Sequence, residues 1–157
     1  MQRKILPKEF IQEVLIDEYK DIVDRHTYIA FSLIAIGIEF LGKCMLTQYQ
    51  DWHNIPADKA FNRGLDLMIL DNITYGTLNL KDELRNGFVH TLSPKLNIAL
   101  SEVRHGALHF STTNEGKTIL VIEIFYRDFV IACKRVLAEN FPETDKMNIP
   151  FIGVGTS

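Results

Sequence analysis

The sequence predicts a mainly α fold: a four- or five-helix up-and-down bundle with a small three-stranded antiparallel β-meander inserted before the last helix. Three observations lead there. Residues 27–46 are apolar almost all round, as the middle helix of a bundle must be. Amphipathic segments at helical spacing lie on both sides of that stretch, and after Pro94 the apolar period changes from helical to alternating.

The first helix is expected over about 7–24, with Pro7 in its first turn, where a missing N–H costs nothing, and Phe10, Val14, Leu15, Ile22 and Val23 facing inward. The second, over about 27–46, carries Gly37 and Gly42, which would let another helix approach closely. A loop with Trp52 and His53 follows, and Pro56-Ala57-Asp58 opens a third helix over about 57–70 through Phe61, Leu65, Met68 and Ile69. A fourth spans about 78–91 and stops before Ser93-Pro94, because proline disfavours helical geometry in the residue before it. Strands then alternate about Ile98 and Leu100, about Leu108 and Phe110, and from Thr118 to Ile124, with turns at Arg104-His105-Gly106 and Asn114-Glu115-Gly116. This meander covers about 96–124. A last helix over about 125–140 turns Phe129, Val130, Cys133, Val136 and Leu137 inward, and the tail over 142–157 has no periodicity.

The 157 residues fit one domain, 1–157, and 46% hydrophobic with 24% charged residues is ordinary globular composition. A formal net charge of −3 argues against a protein that coats nucleic acid non-specifically, since that binding needs many cations on phosphates. Cys44 and Cys133 each sit among apolar residues and read as buried thiols. The N-terminal segment lacks the apolar core of a signal peptide, and the longest apolar run, residues 28–38, is too short to cross a bilayer. The expectation is a cytoplasmic protein with no membrane partner.

Most chemistries find no motif here: no glycine-rich phosphate loop, paired-cysteine metal motif, His-Glu-x-x-His helix or Gly-x-Ser-x-Gly elbow is present. What remains is Arg85-Asn86-Gly87-Phe88-Val89-His90. A histidine can exchange a proton near neutral pH. An arginine can hold the extra charge of a pentacoordinate phosphorane through its planar fork of donors. On RNA the 2′-hydroxyl is an internal nucleophile, so neither metal nor cofactor is expected.

Arg85, polar Asn86 and then His90 resemble the signature of the HEPN superfamily, in which an arginine followed by a polar residue precedes a histidine late in a helical bundle. The motif spans six residues, the architectural likeness about 8–141, and Ile38-Glu39-Phe40-Leu41 would be the earlier helix with its inward Glu. The resemblance implies a metal-independent endoribonuclease, of a toxin, defence or RNA-processing kind, with RNA as substrate. His90 would be general acid/base, Arg85 the transition-state stabiliser, and Asn86, Glu39 and Lys81 positioning groups. The β insertion departs from the minimal bundle.

At about 100° per residue, Arg85 and His90 lie roughly 140° apart on a regular helix. Either the helix loosens after Gly87, or a second protomer completes the site across a two-fold axis. The resemblance implies the latter, a homodimer. Two rivals remain open. One is a non-catalytic module binding a nucleotide or a partner protein such as an antitoxin, and the other is a structural dimer. Arg85 could instead pair with a carboxylate such as Asp82, and His90 could serve only a helix end. An active enzyme would need Lys81 and Lys95 or Arg104 to gather near Arg85.

His105 and His109, four apart on a hairpin, would be about 13 Å apart and read as solvated turn residues rather than ligands. His26 and His53 read as surface or capping residues. Trp52 covers the core edge or stacks on a base. Glu39, inside an apolar helix, needs a partner, and Arg85 is the one proposed. Lys81, Asp82 and Glu83 read as a solvated helix face.

Overall fold

The structure is a computed structural model that describes residues 2–68, 75–87, 97–143 and 148–152. Helix α1 is continuous through α-helical Pro7–Phe10, π-helical Ile11–Glu18 and α-helical Tyr19–Arg25. The wide middle stretch, with its i→i+5 bonds, alters which side chains face in. Ile11, Leu15, Tyr19 and Val23 are buried, while Phe10, Val14 and Ile22, expected inside, are only partly covered. The Tyr126 hydroxyl donates to the Ile16 carbonyl at 2.6 Å within that stretch.

Helix α2, Thr27–Leu46, is the centre of the bundle and packs on α1, on α3 (Ala57–Asp66) and on α5 (Ile122–Ala138). By length and composition α2 could cross a membrane, yet 61% of its most apolar window is buried inside the domain. The apolar segment is therefore longer than the run at residues 28–38, and its partners within the chain account for its composition. Its glycines work as expected. A methyl group on Gly42 would overlap the Ala60 carbonyl oxygen, and one on Gly64 would overlap the Ile38 carbonyl, so α2 and α3 touch backbone to backbone. Gly37 makes room for the Phe129 ring of α5, whose Cζ would lie 2.5 Å from an added Cβ.

Helix α3 begins after Pro56 and ends at Asp66, short of the predicted residue 70. Leu67 and Met68 form a turn, Ile69 lies outside the described residues, and Arg135 of α5 donates to the Leu67 carbonyl at 2.7 Å, satisfying one of the helix-end acceptors. The predicted fourth helix, about 78–91, is helical where it is described: a 3-10 turn at Tyr75–Leu78 precedes α4, which is π-helical over Lys81–Asn86, and residues 88–91 lie outside the described residues. Asn79, with φ +46, separates that turn from α4.

The three-stranded antiparallel meander is not formed. Strands β2 (Ile98–Ser101) and β3 (Thr118–Val121) pair in parallel, with Ile98 opposite Thr118 and Ser101 opposite Val121. Parallel neighbours need a long crossover, which residues 102–117 supply. The expected middle strand fails because Phe110 adopts φ +64, ending the extended run. Its neighbours still bond to β3, with Phe110 N–H on the Ile119 carbonyl and Ile119 N–H on the Ser111 carbonyl, both 2.8 Å. Helix α5 starts at Ile122, three residues earlier than predicted. The β-branched run resembles a strand up to Ile124, but Glu123 in the first turn favours a helix start and also accepts the Val103 N–H at 3.0 Å. The tail is not wholly irregular: β4 (Asn148–Ile152) pairs antiparallel with β1 (Gln2–Lys4).

Candidate functional site

Ile36, Glu39, Phe40 and Lys43 sit at helical spacings of three and four on α2, so they share one face, turned away from the buried line through Ile34, Ile38 and Leu41. After α2 the chain turns, and the Asp51 carboxylate accepts the His53 N–H at 3.4 Å, setting a 3-10 turn at Trp52–Asn54. This brings the half-buried Trp52 back over Phe40 at 5.5 Å, edge to face, and Phe40 in turn meets Phe10 at 5.0 Å. From the other side α4 delivers Arg85. Together Ile36, Glu39, Phe40, Lys43, Trp52 and Arg85 line an open groove of about 310 Å³.

Inside the groove Arg85 Nε lies 3.3 Å from Glu39 Oε2, the pairing expected from the sequence. Arg85 Nη1 donates to Asn86 Oδ1 at 3.0 Å, and Asn86 Nδ2 donates to Asp82 Oδ1 at 2.9 Å. Arg85 is thus held on two sides, with Glu39 fixing Nε and Asn86 fixing one terminal nitrogen. Lys43 Nζ rests 4.8 Å from the centre of the Trp52 ring, a cation–π contact. The groove combines two cations, one carboxylate and an aromatic floor.

The other nominated residues are distributed differently. Lys81 pairs with Asp58 at the start of α3 and is not among the groove's lining side chains. Arg104 pairs with Glu102 and is exposed. His90 and Lys95 lie outside the described residues, as do residues 88–96 as a whole. Glu83 is not on a solvated face. It is 5% exposed, and its carboxylate accepts the Asn97 N–H at 3.2 Å and the Asn97 side-chain amide at 3.1 Å. Its partner appears only beyond the motif, so α4 and the start of β2 are clasped together on either side of residues 88–96.

A second polar cluster was not anticipated. His109 is not a solvated turn residue: its Nδ1 accepts the Val121 N–H at 3.0 Å, which leaves the proton on Nε2, and Nε2 lies 2.9 Å from the Tyr75 hydroxyl. Tyr75, fully buried, donates to Asp128 Oδ2 at 2.5 Å, and Asp128 Oδ1 accepts from Arg127 Nε and Nη2 at 3.0 and 2.9 Å. Burial pushes the His109 pKa down to about 4, the desolvation outweighing the attraction of Asp128. Burial and the bond to Asp128 push the Tyr75 phenol up. Every member has a partner, and Tyr75 and Asp128 lie in the core while Arg127 reaches the surface, so the cluster ties the crossover to α5.

His26, His53 and His105 are exposed as expected, and Cys44 and Cys133 are buried free thiols whose pKa values burial raises. Among the described residues no group of three or more His, Cys, Asp or Glu side chains is arranged to hold a metal ion. The groove would have been hard to find from the sequence beyond Arg85 and Glu39, since Lys43 and Trp52 carry no motif; the only signal was a tryptophan just past the end of an apolar helix. Comparison of the chain with protein-family models, with curated proteins and with solved structures yields no match.

Proposed function

We propose that this chain is a metal-independent endoribonuclease of HEPN type, cytoplasmic and acting as a homodimer in which two copies of the Arg85–His90 motif face one RNA phosphate. The observation that carries this reading is the placement of Arg85: its guanidinium lines an open groove, anchored through Nε by Glu39, with Asn86 beside it. An arginine so held keeps donors directed at an anion without reorganising as charge builds up.

His90 takes the proton from the 2′-hydroxyl, the 2′-oxygen attacks phosphorus, and the P–O5′ bond breaks. The 5′-oxygen leaves with the proton returned by the His90 imidazolium, and the products are a 2′,3′-cyclic phosphate and a free 5′-hydroxyl. Arg85 neutralises the extra charge on the phosphorane oxygens.

The test is cleavage of several RNAs in EDTA by wild type, Arg85→Ala and His90→Ala, with analysis of product ends. Cyclic phosphate ends from wild type and their loss in both variants uphold the reading. An inactive wild type leaves the rival reading, a non-catalytic module that binds a nucleotide or an antitoxin-like partner, which the aromatic and cationic lining of the groove also suits.

A further inference from the structure

The Trp52 end of the groove has a feature that cleavage chemistry alone does not use. Trp52 sits half-buried beyond Glu39 and Arg85, one cation lies over its ring, and Phe40 braces its edge. Lys43 is partly exposed and, among the described residues, forms no ion pair with a carboxylate; its ammonium rests over the ring quadrupole, a weak tether on a flexible stem. A planar, uncharged base can take that place on the ring, and the displaced ammonium is then free to meet a phosphate on the same strand. Phe40 and Ile36 supply apolar walls, while Arg85 at the other end offers the second cation a backbone needs.

We infer that Trp52 and Lys43 form a nucleotide subsite beside the Arg85 centre: a base stacks on Trp52, and Lys43 moves from the ring to the adjoining phosphate. The inference deepens the RNA reading of the groove and rests on it. It names single-stranded nucleoside phosphate as the ligand class, with binding tolerant of base identity because every base has a π-face. One edge of the subsite is acidic through Glu39, which disfavours duplex backbones that would bring a second row of phosphates.

Trp52 is the chain's only tryptophan, so its fluorescence reports on this place alone. The probes are adenosine 5′-monophosphate and a 2′-O-methylated tetraadenylate, which lacks the 2′-hydroxyl and cannot be cleaved. Saturable quenching by the tetramer is expected for wild type; affinity read by isothermal titration calorimetry, which needs no tryptophan, should fall about tenfold in Trp52→Leu, be retained in Trp52→Phe, and fall several-fold in Lys43→Met with a shallower salt dependence. Quenching by the monophosphate as well assigns the subsite to free nucleotides; quenching by the tetramer alone assigns it to a strand. Either supports the subsite. Absence of quenching by both probes, or unchanged tetramer affinity in Trp52→Leu and Lys43→Met, overturns it. The two readings separate cleanly. Tetramer binding by a protein that cleaves no RNA keeps the subsite and ends the nuclease, whereas efficient cleavage with no effect at Trp52 or Lys43 does the reverse.

Discussion

Glu39 of α2 and Arg85 of α4 meet at 3.3 Å across the floor of the groove, each partly open to water. An exposed pair of this kind contributes about 0–1 kcal/mol to stability, so its main effect is orientation. Glu39→Gln should therefore leave the melting temperature within a few degrees of wild type while RNA cleavage drops about tenfold or more. Arg85→Lys should do no better, since an ammonium cannot grip Glu39 and a phosphate with one rigid fork. Thermal melts run beside cleavage assays check both, and a large melting shift without a rate effect would contradict the assignment.

The contact between α2 and α3 makes a sharper stability prediction. Gly42→Ala and Gly64→Ala each drive a methyl group into a backbone carbonyl, and no rotamer change relieves that. Each should cost about 1–3 kcal/mol or more in urea unfolding. Gly76→Ala is the control: nothing lies within 4 Å of its added carbon, and the change should be small.

His109 gives the fold a pH dependence. Its folded pKa, about 4, lies below the ordinary 6.5, so between those values the unfolded chain binds more protons than the folded one. The stabilisation is full above about pH 6.5 and is lost as pH falls towards 4. Because the ring is partly exposed, on the order of 1–2 kcal/mol is expected rather than the full linkage value. Urea midpoints at pH 5 and pH 7 should differ for wild type, and the difference should shrink in His109→Gln.

Glu83 is buried against Asn97 and receives two N–H donors from it. Glu83→Ala strands both donors and should cost about 1–3 kcal/mol; Glu83→Gln keeps one acceptor oxygen and should cost less. Denaturant titration of the two variants orders them, and an equal loss in both would show that charge rather than bonding holds the clasp.

How far the sequence could be read depended on how local the determining physics was. The apolar wrap of α2, the proline before α3 and the small residues on α2 act through near neighbours, and each was legible. So was the need of Glu39 for a partner. The alternation read over residues 98–124 does not carry into burial, since Ile98 is the one buried residue of β2 and the neighbours Leu120 and Val121 are both buried in β3; a period of two also says nothing about which strand pairs with which or in what direction, and the left-handed turn at Phe110 has no glycine to announce it. The side-chain partner of His109 is Tyr75, 34 residues away, which in turn bonds Asp128 on α5, beyond any spacing rule. The wide turns in α1 and α4 likewise carry no signature in residue type.

The meeting of Gly42 with the Ala60–Gly64 turn has a mechanical consequence for the groove above it. Main chain pressed on main chain has no alternative packing to relax into, so that joint is stiff where a layer of leucines would yield. Lys43 is the next residue along, and Glu39 lies less than one helical turn before. The rim can therefore be rewritten residue by residue, changing what it prefers to hold, while the hinge beneath keeps the same span.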